Sequence, residues 1–398
     1  MKYDPTMKSA HPAFSFPIFL FVALSLSVLQ AKTVFKAGEY GYPIYRIPAV
    51  VKAANGNLLA FCEARQGGDE SEIDLVLKRS EDGGKSWGAL QVVQESSDFV
   101  KILGGRNKDI TIGNPAPVVD LLDPDHPGRI WLPFTLENDR VFVVSSDDHG
   151  VTWSDRREIT KSVKKKDWGW YATGPVHSIQ LQRGKHRGRL VIPCDHRVGK
   201  FDWADHGPLG AHAVISDDHG KTWKLGAVDD SYDDGLNANE TTVVELEDGT
   251  LYFNTRDQNG EAKGTRGVAL SKDGGESFQS GSPEWKGFRP VAGVLDPPVV
   301  QCAVLSAGKG LIVFSGPDEN GPTGKGRSDL RLRYSTDQAK SWKDGPLIHV
   351  GPTAYSDLVM VNERTLGVLF EAGDKGQKNS YQRIEFKTLP VKEIIGSK

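Results

Sequence analysis

Cysteine is scarce in this chain: three residues in 398, Cys62, Cys194 and Cys302. They are too few and too scattered for a disulfide framework or a thiolate metal site, both of which need clustered cysteines. Free buried thiols, or at most one disulfide, are expected. Charge of one sign is lacking too, since 49 Lys and Arg against 52 Asp and Glu leave a formal net charge of −3. No global field is available to hold nucleic acid or an acidic membrane, so any anion site must be local and built from individual arginines. No His-x-x-x-His pair lies on a helical pattern, which removes a common zinc signature. Neither a metal nor a cofactor is expected. Long apolar runs are missing except at residues 14–29, which follow Lys2 and Lys8 and precede Ala31. That is the layout of a secretory signal peptide, and its shortness and Pro17 argue against a stable membrane span. Residues 1–31 are therefore read as a signal peptide, with an uncleaved anchor as the alternative, and the rest as secreted or periplasmic.

Turn residues are abundant, with 44 glycines and 22 prolines. They suit many short strands joined by tight turns and point to an all-β fold. One octapeptide pattern recurs five times: SEDGGKSW at 80–87, SDDHGVTW at 146–153, SDDHGKTW at 216–223, SKDGGESF at 271–278 and STDQAKSW at 335–342. The shared form is Ser-x-Asp-x-Gly-x-Ser/Thr-aromatic, an Asp-box. The starts are 66, 70, 55 and 64 residues apart, which suits a four-stranded blade with its loops. Each copy follows an alternating or β-branched run, so the box is predicted to be a hairpin turn. Its Ser and Asp can bond the turn's own amides, its Gly supplies positive φ, and its aromatic can pack between neighbouring blades. Ala339 replaces the glycine in the fifth copy, which predicts a strained or differently shaped turn. The 367 residues after position 31, at about 60 per blade, make a six-bladed β-propeller of four-stranded antiparallel blades over 32–398. The sixth blade would lack a box and be closed by both termini, with 381–387 (YQRIEFK) as the C-terminal strand.

The boxes, together with Tyr45-Arg46-Ile47-Pro48, resemble the exo-α-sialidases of glycoside hydrolase family 33, over residues 40–387. The stretches at 113–120, 174–181, 189–193, 239–256 and 354–361 are similar as well, and in the same order. The resemblance implies removal of terminal sialic acid by a monomer whose partners are sialylated glycans, with no nucleic acid.

Sialic acid carries a carboxylate on its anomeric carbon, so a site must bind an anion and attack beside it. Guanidinium forks suit the first task, and the resemblance assigns it to Arg46, Arg256 and Arg327. Arg331 and Arg333 lie on the strand that follows, so register decides which arginine faces the axis. A carboxylate nucleophile would be repelled by the substrate, whereas a phenol is not, and sialidases are the tyrosine-nucleophile exception among glycosidases. Tyr355 matches that nucleophile and Glu240 the base that takes its proton. A second carboxylate must protonate the leaving oxygen and later activate water. Asp69 is the choice, although Glu70, Glu72 and Asp74 make the alignment ambiguous. Glu371 resembles the glutamate that orients the first arginine.

The aromatic stretch 167–175 could wall the pocket or serve blade packing. Residues 321–328 (GPTGKGRS) imitate a phosphate loop, but an alternating strand follows instead of a helix. Residues 229–235 (DDSYDDG) imitate part of a calcium loop with the wrong spacing, and a solvated loop is expected. Asn239 opens an Asn-Glu-Thr sequon that is read as coincidental. Two alternatives stay open: a non-catalytic sialoglycan-binding propeller, and an enzyme acting on another nonulosonic acid or by transfer.

Overall fold

The computed structural model describes residues 1–2, 30–200, 207–318, 321 and 326–396. The apolar run at 14–29, read as a signal peptide, lies outside the described residues. Six antiparallel sheets follow one another along the chain. Blade 1 is built from Ile44–Lys52, Leu58–Arg65, Ile73–Ser80 and Gln91–Gln94. Blade 4 comprises Ala238–Glu245, Leu251–Asp257, Arg266–Ser271 and Arg289–Val291, and blade 5 Ala303–Ser306, Ile312–Pro317, Leu330–Ser335 and Lys343–Leu347. In blades 2 and 3 the first strand is broken in two, as Ile112–Gly113 with Val118–Asp120 and Trp168–Thr173 with Ile179–Gln180.

Blade 6 holds Thr353–Asn362, Thr365–Ala372 and Arg383–Pro390, and takes its fourth strand from the other end of the chain, Lys32–Lys36. Both termini thus close the ring. The last strand begins at Arg383, so Tyr381 and Gln382 fall in the loop before it, a correction to the 381–387 expectation. First strands touch in the cyclic order of blades 1 to 6 and back to 1, which places them around the central axis.

Each blade is covered on both faces, so its strands are apolar on alternate residues of both faces rather than on one. Leu59, Phe61, Leu75 and Leu77 pack toward blade 2, while Leu58, Ala60, Cys62 and Val76 pack toward blade 6. Six apolar clusters fill the six interfaces between blades. All three cysteines are buried and free. Among the described residues no helix is long and apolar enough to cross a membrane.

The five Asp-boxes join third to fourth strands in blades 1 to 5. In the first box Ser80 Oγ accepts from Gly84 N at 2.8 Å, and Asp82 Oδ1 accepts from Lys85 N and Ser86 N at 3.0 and 2.9 Å. Box glycines lie close against the preceding blade: a Cβ on Gly220 would sit 2.3 Å from Trp131 Cε2. Trp87 packs edge-on against Phe386, and Trp153 against Phe61. The fifth box keeps the same bonds, Ala339 N to Ser335 Oγ at 3.0 Å, with Ala339 at φ 59°. Its turn is strained but not reshaped.

The calcium-loop imitator differs from expectation. Asp229 is 3% exposed, and Tyr232 Oη lies 2.9 Å from His196 Nε2, so this stretch is tied into blade 3 rather than solvated.

Candidate active site

Second strands end, and third strands begin, at one rim of the ring; third strands end at the opposite rim, where the boxes sit. The first rim carries a cleft of about 240 Å³ lined by Arg46, Asp69, Glu240, Arg256, Arg327 and Tyr355, among others, and by no box residue. Six of the seven candidate residues therefore line one cleft, and the seventh, Glu371, lies fully buried behind Arg46.

Three of these residues sit at irregularities of first strands. Register shifts fall between Arg46 and Ala49, between Ala238 and Thr241, and between Thr353 and Ser356. Such bulges re-aim a side chain that a regular strand would bury between blades. The first includes Ile47 at φ 59°, an unfavourable conformation for a β-branched residue. It is held there by Ile47 N donating to Glu371 Oε1 at 3.0 Å.

Arg46 is 5% exposed. Its Nε donates to Glu371 Oε1 at 2.7 Å, and its guanidinium carbon lies 4.3 Å from the Tyr381 ring centre and 4.9 Å from that of Tyr355. Burial opposes the charge, but Glu371 and the two tyrosines more than offset it, so the group titrates above its ordinary range. With Nε occupied, the terminal nitrogens face the cleft.

Arg256, near the end of its strand, donates from Nη1 to Glu240 Oε2 at 2.7 Å and lies 3.4 Å from Tyr355 Oη. Its Nε has no hydrogen-bond partner among the described residues. Arg327 precedes the third strand of blade 5, bonds Val299 O at 2.9 Å, and lies 5.9 Å from the Tyr355 ring centre. Arg331 and Arg333 are ion-paired inside the blade, to Asp318 and Asp296, and of these three arginines it is Arg327 that lines the cleft.

Tyr355 Oη donates a hydrogen bond to Glu240 Oε1. Burial first, then the Glu240 carboxylate, pushes the phenol well up, against the pull of Arg256, Arg46 and Arg327. The resting tyrosine is neutral and already bonded to a group that can take its proton.

Asp69 sits on the loop between Arg65 and Ile73, its side chain 67% exposed. Its carboxylate pairs with Arg65 Nη1 and lies 3.9 Å from Arg46 Nη1. The protein around the loop desolvates this exposed carboxyl only in part, which raises it, but Arg65, with Arg46 and Arg327 behind it, prevails and holds it below the ordinary carboxylate range. Of its acidic neighbours, Asp74 is engaged by Tyr42 Oη and Ser96 N at 2.7 Å each, and neither Glu70 nor Glu72 lines the cleft.

Residues not anticipated from the sequence complete the wall. Glu63 and Arg65 are buried, with Arg65 Nε donating to Glu63 Oε2 at 2.8 Å and Glu63 Oε1 accepting from Asn114 N at 2.8 Å. Two charges at the end of the otherwise apolar strand LLAFCEAR were the available signal. A Cβ on Gly113 would lie 2.3 Å from Glu63 Oε1, so any side chain there would displace the Glu63 carboxylate from its present bonds. Tyr381 lines the cleft as well. The aromatic stretch divides: Trp170 faces the cleft, whereas Trp168 stacks on His196 with ring centres 3.7 Å apart. Asn239 is buried and donates to Asp195 Oδ2 at 2.9 Å.

A family model described as a BNR repeat-like domain matches residues 56–368. The chain is 29% identical to a sialidase of Micromonospora viridifaciens over 84% of this chain and 51% of that one. It is 27% identical to a sialidase of Bacteroides fragilis over 90% and 64%, and 28% identical to Sialidase-3 of Mus musculus over 92% and 95%. The chain thus spans about half to two thirds of the two bacterial relatives. Among solved structures, the Hadza microbial sialidase Hz136 superposes with a TM-score of 0.73 at 27% identity, covering 92% of this chain and 69% of that one.

Proposed function

The chain belongs to the BNR repeat-like domain family, and from its similarity to sialidases together with the geometry of the cleft we propose that it is a retaining exo-α-sialidase using Tyr355 as nucleophile. The observation that carries the proposal is the Tyr355–Glu240 hydrogen bond among three guanidinium groups. A glycan-binding protein needs the arginines but has no use for a phenol bonded to a base.

In the proposed reaction Arg46, Arg256 and Arg327 hold the sugar carboxylate, bringing the anomeric carbon over Tyr355 Oη. The phenol oxygen bonds to that carbon as its proton passes to Glu240. The glycosidic bond breaks, and Asp69 gives the leaving oxygen a proton. Asp69 is ionised before substrate binds, so it takes that proton from solvent on binding. The incoming carboxylate favours this, because its negative charge offsets part of the cationic field, Arg65 first and then Arg46 and Arg327, that holds Asp69 low. Asp69 then takes a proton from water, which attacks the anomeric carbon and releases tyrosine with its proton returned by Glu240.

Release of a fluorogenic aglycone from an α-sialoside tests the reading. The protein should turn over, and Tyr355→Phe and Asp69→Ala should not match it. No release with intact sialoside binding would make the propeller a binding module. Export through residues 1–31 belongs to the same proposal, and N-terminal sequencing of secreted chain tests it.

A further inference from the structure

A second cavity, of about 650 Å³, adjoins the cleft. Two residues, Arg327 and Tyr381, line both. The remaining lining comes from Ser328, Gly351 and Pro352 and from the loop that carries Lys375, Gln377, Lys378 and Asn379. The lining holds three cationic residues and no acidic one; the neighbouring Asp374 is bound to Arg383 at 2.7 Å. Amides, hydroxyls and an aromatic ring are the groups that bind sugars, and cations among them select a sugar that bears an anion.

The place of this cavity follows from substrate chemistry. The anomeric carbon carries both the carboxylate and the leaving oxygen, so the leaving group starts two bonds from the carboxylate carbon that the arginines hold. Asp69, which must reach that oxygen, lies 3.9 Å from Arg46 Nη1, and the Tyr381 ring lies 4.3 Å from the Arg46 guanidinium carbon, so the leaving group departs on the Arg46 side of the cleft. Beyond Tyr381 lies the second cavity.

We propose that this cavity is a leaving-group subsite for a glycan whose penultimate sugar carries a carboxylate or a sulfate. The subsite rests on the sialidase reading, and the test separates the two. Four substrates are compared for the wild type and the Lys375→Ala/Lys378→Ala double variant: a methylumbelliferyl sialoside, sialyllactose, a disialyl-lactose and a sulfated sialyl-lactosamine. The double variant should raise KM for the disialyl or the sulfated glycan about 5- to 20-fold, from two exposed charge contacts at roughly two- to fivefold each. KM for the first two substrates should change less than about twofold, and high salt should erase the wild-type advantage. Which anionic glycan responds identifies the anion. No methylumbelliferone release by the wild type sinks the sialidase reading. Release, with the variant shifting all four substrates alike or none, sinks the subsite.

Discussion

Replacing Glu371 with alanine should cost the protein about 3–5 kcal/mol of folding stability and most of its affinity for sialosides. Glu371 is fully buried, and its carboxylate accepts from Arg46 Nε at 2.7 Å, Ile47 N at 3.0 Å, and Tyr355 N and Ser380 Oγ at 3.4 Å each. Alanine leaves the Arg46 charge uncompensated at 5% exposure and strands the Ile47 amide in a strained bulge. Glutamine keeps an acceptor but not the charge, and should cost about 1.5–3 kcal/mol. Urea unfolding of the three proteins gives the stability series, and the KM of a fluorogenic sialoside gives the consequence for the arginine wall. KM should rise more than kcat falls, since a freely rotating Arg46 loses binding before it loses chemistry. A loss under about 1 kcal/mol for the alanine variant would refute the premise that this pair holds Arg46 in place.

Three further outcomes are expected. Asp69→Ala should lower kcat about 10²–10⁴-fold on sialyllactose, whose leaving oxygen needs a proton, but far less on an aryl sialoside; equal losses would remove Asp69 from the acid role. Gly220→Ala should destabilise by about 2–4 kcal/mol, because it joins φ 78° to a 2.3 Å approach to Trp131, and a thermal melt matching wild type would contradict the packing. Asp229 is raised to about 7, chiefly by burial, so the folded state holds this proton more tightly than the unfolded chain, whose carboxyl titrates near about 3.9. Its stabilisation is full below that value and is lost as pH rises through 7. Asp229→Asn should therefore gain on wild type between pH 4 and 8, by up to about 4 kcal/mol, and parallel stability curves would exclude the shift.

Blade count and turn chemistry were legible because the Asp-box writes its own hydrogen bonds: Ser, Asp and Gly must recur at fixed offsets for the turn to close. The YRIP segment, the Asn-Glu-Thr strand and the AYSDL strand were legible for the same reason, each being a local pattern. Arg65, Glu63 and Tyr381 were not, since what defines them is proximity across the rim. The aromatic run at 167–175 illustrates the limit, for a bulge between Trp168 and Trp170 sends one ring to the core and the other to the cleft. Asp229 was misread as solvated because burial of a lone carboxyl leaves no trace in spacing. The C-terminal strand was placed two residues early for a similar reason, as the alternation of YQRIEFK continues through a loop.

The most direct test of the account is to trap the intermediate with a sialic acid fluorinated beside the anomeric carbon, whose electron withdrawal slows release from the enzyme. Intact-mass and peptide analysis should find one sialyl group, on Tyr355, and none in Tyr355→Phe. A stable adduct on any other residue, or turnover by Tyr355→Phe at the wild-type rate, would contradict the tyrosine mechanism.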